Sequence, residues 1–148
     1  MAKLNYIPVF LFACFLTVSF LFGYTPLLIA VLYLVFSALT YWAYSRDKQA
    51  AKNGTWRVSE STLHYFSVIG GWPGAIVAQQ TLRHKTVKAD FRGMFWMTAL
   101  VNFGGLIWLH TKQGAPYLHK LTYEVGMMIA AEFDSGNLRS ALLMLLGY

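Results

Sequence analysis

The chain has 148 residues, 57% of them hydrophobic and only 12% charged, with basic residues in excess for a net charge of +6. Soluble domains carry roughly 25% charged residues, so this composition excludes an ordinary water-facing surface and points to the bilayer as solvent. One cysteine, Cys14, excludes an internal disulfide and a thiolate metal centre.

Three uncharged runs, Leu4 to Thr25, Pro26 to Ser45 and Gly93 to Thr111, each approach the roughly 20 residues with which a helix crosses a hydrocarbon core about 30 Å thick. The expected fold is an all-α integral membrane protein with about three transmembrane helices, a re-entrant or broken helical hairpin, and C-terminal amphipathic helices. It forms a single membrane domain over 1–148, with a motif-bearing core at about 41–100 and an extension at about 113–148. The first run follows Lys3 but has no small-x-small cleavage site after Phe22, so it is a retained helix and not a signal peptide. Phe12 is too bulky for Leu11-Phe12-Ala13-Cys14 to serve as a lipidation signal.

The first helix should leave near Gly23, turn tightly through Gly23-Tyr24-Thr25-Pro26, and return as a second helix through Tyr44. That second helix continues past Asp47, Lys48 and Ala51 and stops at Asn53-Gly54, because glycine just beyond a helix supplies the left-handed residue that closes its last carbonyls. Eight of the twelve basic residues then lie between the second and third runs. Loops rich in Lys and Arg beside membrane helices stay cytoplasmic, which puts the N-terminus and the motif loops inside and the C-terminus outside.

Ser61 to Leu82 is uncharged and long enough to cross, or to dip and return. Gly70-Gly71-Trp72-Pro73-Gly74 at its midpoint favours the return, since proline removes a backbone donor and the glycines permit a sharp reversal. Such backbone survives at membrane depth only where protein or a watery cavity covers it. In the third run, Phe95 to His110, Gly104-Gly105 offers a small surface for close helix packing. From Tyr117 to Tyr148 the residues Glu124, Glu132, Asp134 and Arg139 interrupt any crossing. Leu118, Leu121, Val125, Met128 and Ile129 recur there at helical spacing, as amphipathic helices require.

Three constellations carry chemistry. Arg46, Asp47 and Lys48 stand where the second helix leaves the membrane; basic residues there anchor a helix, whereas Asp47 invites a partner in Arg57 or Lys85. Ser59 fits a helix N-cap, and Glu60 and His64, four apart, share a face, so the carboxylate could orient the imidazole as an acid/base pair. The plainer alternative has Glu60 completing the cap and His64 reaching for the interface. Arg83, His84, Lys85 and Lys88 gather in one short stretch fit for phosphate, beside Gln79 and Gln80, which need partners if buried. A purely electrostatic anchor explains the charges but not the amides. A returning hairpin would bring Asp47, Lys48, Arg57, Glu60, His64, Gln80, Arg83, His84, Lys85 and Lys88 to one mouth. No metal-ligand spacing, nucleotide loop or nucleophile elbow is present, and no cofactor is identified.

The motifs Asp47-Lys48-x-x-Ala51, Trp56-Arg57-x-x-Glu60-x-x-Leu63-His64, Gly70-Gly71-Trp72-Pro73-Gly74-Ala75 and Arg83-His84-Lys85-Thr86-x-Lys88-x-x-Phe91 resemble a bacterial membrane domain family of unknown function. Some of its members are joined to an N-terminal cold-shock nucleic-acid-binding domain. The resemblance covers about Tyr41 to Leu100 and implies a bacterial inner-membrane location and one motif-bearing unit, but no activity. Two membrane helices stand here in place of a cold-shock barrel, which turns the reading away from nucleic acid.

The leading expectation is a small membrane protein that binds an anionic, phosphate-bearing lipid or ligand at its cytoplasmic face. The bilayer, with its anionic phospholipid, is the principal partner. A membrane-embedded lipid-modifying enzyme with Glu60 and His64 as acid/base residues is the alternative. A homo-oligomeric transporter or channel subunit is a further one.

Overall fold

In the computed structural model, residues 5–86, 88–131 and 140 are described, and among them every regular element is helical. The order is α1 (Ile7–Leu21), α2 (Leu27–Asn53), α3 (Glu60–Phe66), a π-helical turn (Ser67–Gly71), α4 (Trp72–Leu82), α5 (Ala89–Leu109) and α6 (Ala115–Ala131). All-α architecture is therefore established. Of these helices α2 alone is both long and apolar enough to cross a membrane. Its apolar part ends at Ser45, and its polar end, Arg46 onward, closes where expected, with Gly54 left-handed at φ +65°. The α1–α2 turn likewise uses Gly23 at φ +74°.

The helices divide between two compact units, one of Met1–Ala13 with Leu32–Gly104 and one of Cys14–Val31 with Gly105–Tyr148. In the second unit, the His110 imidazole accepts or donates at Thr25 Oγ1 across 2.7 Å, and Thr25 in turn meets Ser19. The buried face of α6 is Leu118, Thr122 and Gly126, while Leu121, Met128 and Ile129 are exposed. Glu132, Asp134 and Arg139 lie outside the described residues. Nothing stands within 4 Å of a side chain added at Gly104 or Gly105, so the packing surface expected there has no helix against it among the described residues.

The first unit is organised by α3 and α4. Ser59 caps α3 by accepting from Thr62 N at 3.1 Å. A straight helix from Glu60 to Leu82 would be about 33 Å long. Glu60 nevertheless touches Lys85 at 2.7 Å, so the chain turns back between them. The break falls at Gly70, whose φ of +116° lies outside what a side chain tolerates. Pro73 sits in the first turn of α4, where its missing N–H costs nothing.

Only Gly70 supplies the reversal. Gly71 and Gly74 serve a different need: a Cβ on Gly71 would clash with Thr40 Oγ1 and the Phe36 carbonyl, and one on Gly74 with the Ser37 backbone. Both glycines let α4 lie directly on α2. Beside the break, Asn102 of α5 accepts from Tyr33 Oη (2.6 Å) and Trp72 Nε1 (3.1 Å) and donates to the Val68 carbonyl (2.6 Å). Phe12 of α1 packs edge-on against Tyr33 and Trp72, with centroids 4.8 Å from each. Rings thus pack beside the reversal, and the Val68 carbonyl within it is hydrogen-bonded.

Gly74→Ala should lower thermal stability in detergent by about 1–3 kcal/mol through forced separation of α4 from α2. Gly104→Ala should cost nothing measurable, and equal effects of the two would refute the close-approach role.

Candidate functional site

The polar end of α2, the start of α3 and residues 83–88 meet at one end of the first unit. Asp47, with no exposed side-chain surface, lies at the centre. Arg57 donates to it as a fork, Nε to Oδ1 at 3.0 Å and Nη2 to Oδ2 at 3.1 Å. His84 Nε2 lies 2.7 Å from Oδ2, and Lys85 Nζ 3.7 Å from the same oxygen. Burial opposes ionisation of Asp47, but the hydrogen bonds from Arg57 and His84 and the charges of Lys85 and Arg57 outweigh it and hold the carboxyl below its ordinary range. An ionised oxygen only accepts, so in this hydrogen bond His84 Nε2 carries the proton and donates it to Asp47.

Glu60 forms the second centre. Lys85 donates to it at 2.7 Å and Lys88 at 2.9 Å, and these two hydrogen bonds bring its carboxyl down to about 2. Lys85 therefore bridges both acids, and its ammonium also stands 5.3 Å above the Phe91 ring. Lys48 Nζ donates to the Leu82 carbonyl and so closes the C-terminus of α4 with a positive charge, where the helix dipole favours it. Arg83 continues that closure with its own backbone, left-handed at φ 50°, and its side chain is exposed.

Most of the residues expected at one mouth do converge: Asp47, Arg57, Glu60, His84, Lys85 and Lys88 form a single ionic network, with Lys48 and Arg83 on its border. His64 and Gln80 stand outside the network. Glu60 is taken by the two lysines and makes no hydrogen bond to His64; the stronger charge-assisted partners win over the helical neighbour. His64 lies against Phe91, centroids 4.5 Å apart, with Nδ1 buried and without a hydrogen-bond partner among the described residues. Gln80 turns away to donate to the Asn5 carbonyl, and Gln79 donates to Tyr44 Oη at 3.2 Å. The oriented imidazole is thus His84, held by Asp47. Its signal in the sequence, an acid 37 positions away, has no local spacing to reveal it. Asn102 was also missed, although an amide alone in an apolar run is a visible signal.

A model of the DUF1294 family, described as a protein of unknown function, matches residues 37–91. An uncharacterized protein of Bacillus subtilis (strain 168), YsdA, is 32% identical over 66 residues, covering 45% of this chain and 74% of that protein. The chain belongs to the DUF1294 family. No solved structure matches it. The DUF1294 segment begins at Ser37, against which Gly74 packs, and ends at Phe91, against which His64 lies. Hairpin and ionic network therefore both fall inside the family segment.

The five cationic groups Lys48, Arg57, Arg83, Lys85 and Lys88 outnumber the two carboxylates Asp47 and Glu60, leaving a surplus of three positive charges. Arg57 and Lys88 are about half exposed while paired, so both can reach a second partner.

Asp47→Ala should destabilise the fold by about 3 kcal/mol, because it strands several cations around a buried gap. Glu60 contributes stability that is complete above its ordinary value of 4.5 and is lost as pH falls toward about 2, since its folded form resists protonation. Melting temperature should therefore fall between those pH values, and fall less steeply in Glu60→Gln. Parallel pH curves for the two proteins would show that Glu60 is not coupled to folding.

Proposed function

We propose that this chain is an integral protein of the bacterial inner membrane whose cytoplasmic mouth binds the phosphate-bearing head of an anionic lipid. In this reading α1, α2 and α5 cross, and the α3–α4 arms enter the bilayer from the cytoplasm and return. Large apolar side chains support it: Leu21 is 74% exposed, Leu34 71% and Leu100 63%, on three different helices. Outward leucines on that scale suit acyl chains better than water. From Asp47 at the mouth to Ser37 at the Gly74 contact, α2 rises about 15 Å, which would carry the reversal halfway into a hydrocarbon core.

The polar end fits the head-group layer. Arg46 stacks over Trp42 at 5.4 Å, and Trp56, 98% exposed, stands beside Arg57. Tryptophan and arginine together favour the membrane–water boundary. The observation that carries the binding reading is the exposed Arg83, which makes no ion pair among the described residues, beside a network already in positive surplus. Asp47 and Glu60 neutralise part of that network, and what remains favours an anion from outside.

Native mass spectrometry after gentle extraction should retain an anionic phospholipid in preference to a zwitterionic one. Arg83→Ala with Lys88→Ala should reduce that preference about tenfold, close to the loss of one good charge-assisted contact. An unchanged preference would remove the basis for the reading. Topology has its own test: in a Cys14→Ser background, Thr86→Cys should be labelled from the cytoplasmic side and Gln113→Cys from the other. Labelling of Thr86→Cys from the periplasmic side would overturn the returning hairpin, and labelling of both cysteines from one side would overturn the crossing of α5.

A further inference from the structure

We propose that His84 acts as a general acid in the hydrolysis of a phosphate monoester carried by a lipid at this mouth, an inference that rests on the phosphate-binding reading above.

Orientation comes first. Asp47 is buried and fixed by the Arg57 fork, and its Oδ2 accepts a hydrogen bond from His84 Nε2 at 2.7 Å. That leaves Nδ1 without a hydrogen bond among the described residues, on a side chain still 16% exposed. A carboxylate that fixes one ring nitrogen and stabilises the imidazolium is what proton transfer at the other nitrogen needs. The anchoring of the loop did not require it, since Lys85 and Lys88 already tie the same segment to Glu60.

The backbone supplies an independent observation. His84 lies between two non-glycine residues in the left-handed region, Arg83 at φ 50° and Lys85 at φ 62°. The first is explained as the end of α4. No helix end accounts for the second, which persists at a cost of order 1 kcal/mol because the surrounding bonds impose it. Together the two residues turn His84 inward to Asp47 while Arg83 stays exposed.

The charges select the substrate. A monoester brings two negative charges to a surplus of three positive ones, whereas a diester brings one. Exposed Arg83 and half-exposed Arg57 and Lys88 are the groups able to hold its oxygens. Phosphoryl transfer from a monoester depends on positioning and charge more than on covalent help, so cations and one proton donor suffice in principle.

In the step, a water oxygen bonds to phosphorus as the ester P–O bond breaks. The electron pair of that bond stays on the lipid oxygen, which takes the proton that Nδ1 carries when His84 enters the step as imidazolium, and departs as an alcohol. The attacking water loses one proton to solvent, His84 regains one, and inorganic phosphate is released.

The test uses the full chain in nanodiscs of phosphatidylethanolamine and phosphatidylglycerol, with phosphatidic acid and a short isoprenyl phosphate as probes. His84→Gln keeps an N–H for Asp47 but has no titrating nitrogen. Phosphate release by the wild type, reduced about 100-fold in His84→Gln with unchanged melting and probe binding, is the expected result. Equal release by both proteins, or none from the wild type while the probes bind, overturns the inference and leaves the binding reading standing. Failure of the wild type to bind either probe, or phosphatidylglycerol, removes both.

Discussion

The carboxylate of Asp47 is the constraint on which the first unit depends. A buried charge is tolerated only when paired and hydrogen-bonded, and this one draws its partners from two separate stretches of chain: Arg57 ahead of α3, and His84 and Lys85 beyond α4. Those partners can reach it only if the polypeptide between them leaves and comes back. Satisfaction of a single anion on α2 thus demands the reversal at Gly70, and the reversal in turn demands residues that let two backbones approach and close the break.

Those demands fall on different residues at the two ends of the same stack. At the far end Gly71 and Gly74 remove side-chain bulk against α2, and Asn102 gathers the Tyr33, Trp72 and Val68 groups that the break leaves in an apolar setting. At the near end the ions hold the arms together. Neither end is sufficient: ions alone would not bring α4 onto α2, and glycines alone give no preference for this register over a neighbouring one. Charge pairing sets the register and close packing sets the distance.

Much of this was legible from residues whose signals are local. The α2 terminus at Asn53-Gly54, the Ser59 cap and the break within Gly70 to Gly74 each follow from rules that span four residues or fewer. The gathering of charged residues was legible as well, because a reversal was expected and brings 47–60 beside 83–88. What escaped was the pairing within that gathering. Glu60 and His64 satisfy a helical rule, so sequence spacing favours them, but nothing in spacing weighs that contact against two lysines arriving from 25 and 28 positions away. The separate duties of the glycines were hidden for the same reason: φ is a local property, and proximity to Ser37 or Thr40 is not.

A competition between local and distant partners also explains why so basic a mouth does not fly apart. Arg57, Lys85 and Lys88 would repel one another if left without acids, and Asp47 and Glu60 are spaced so that Lys85 is shared between them. Sharing makes the loop at 83–88 answer to both acids at once, so a change in the charge of either alters the setting of His84 through Lys85 and the backbone that joins them. The acid that fixes the His84 imidazole and the acid that holds the half-exposed Lys88 are thus joined through one lysine.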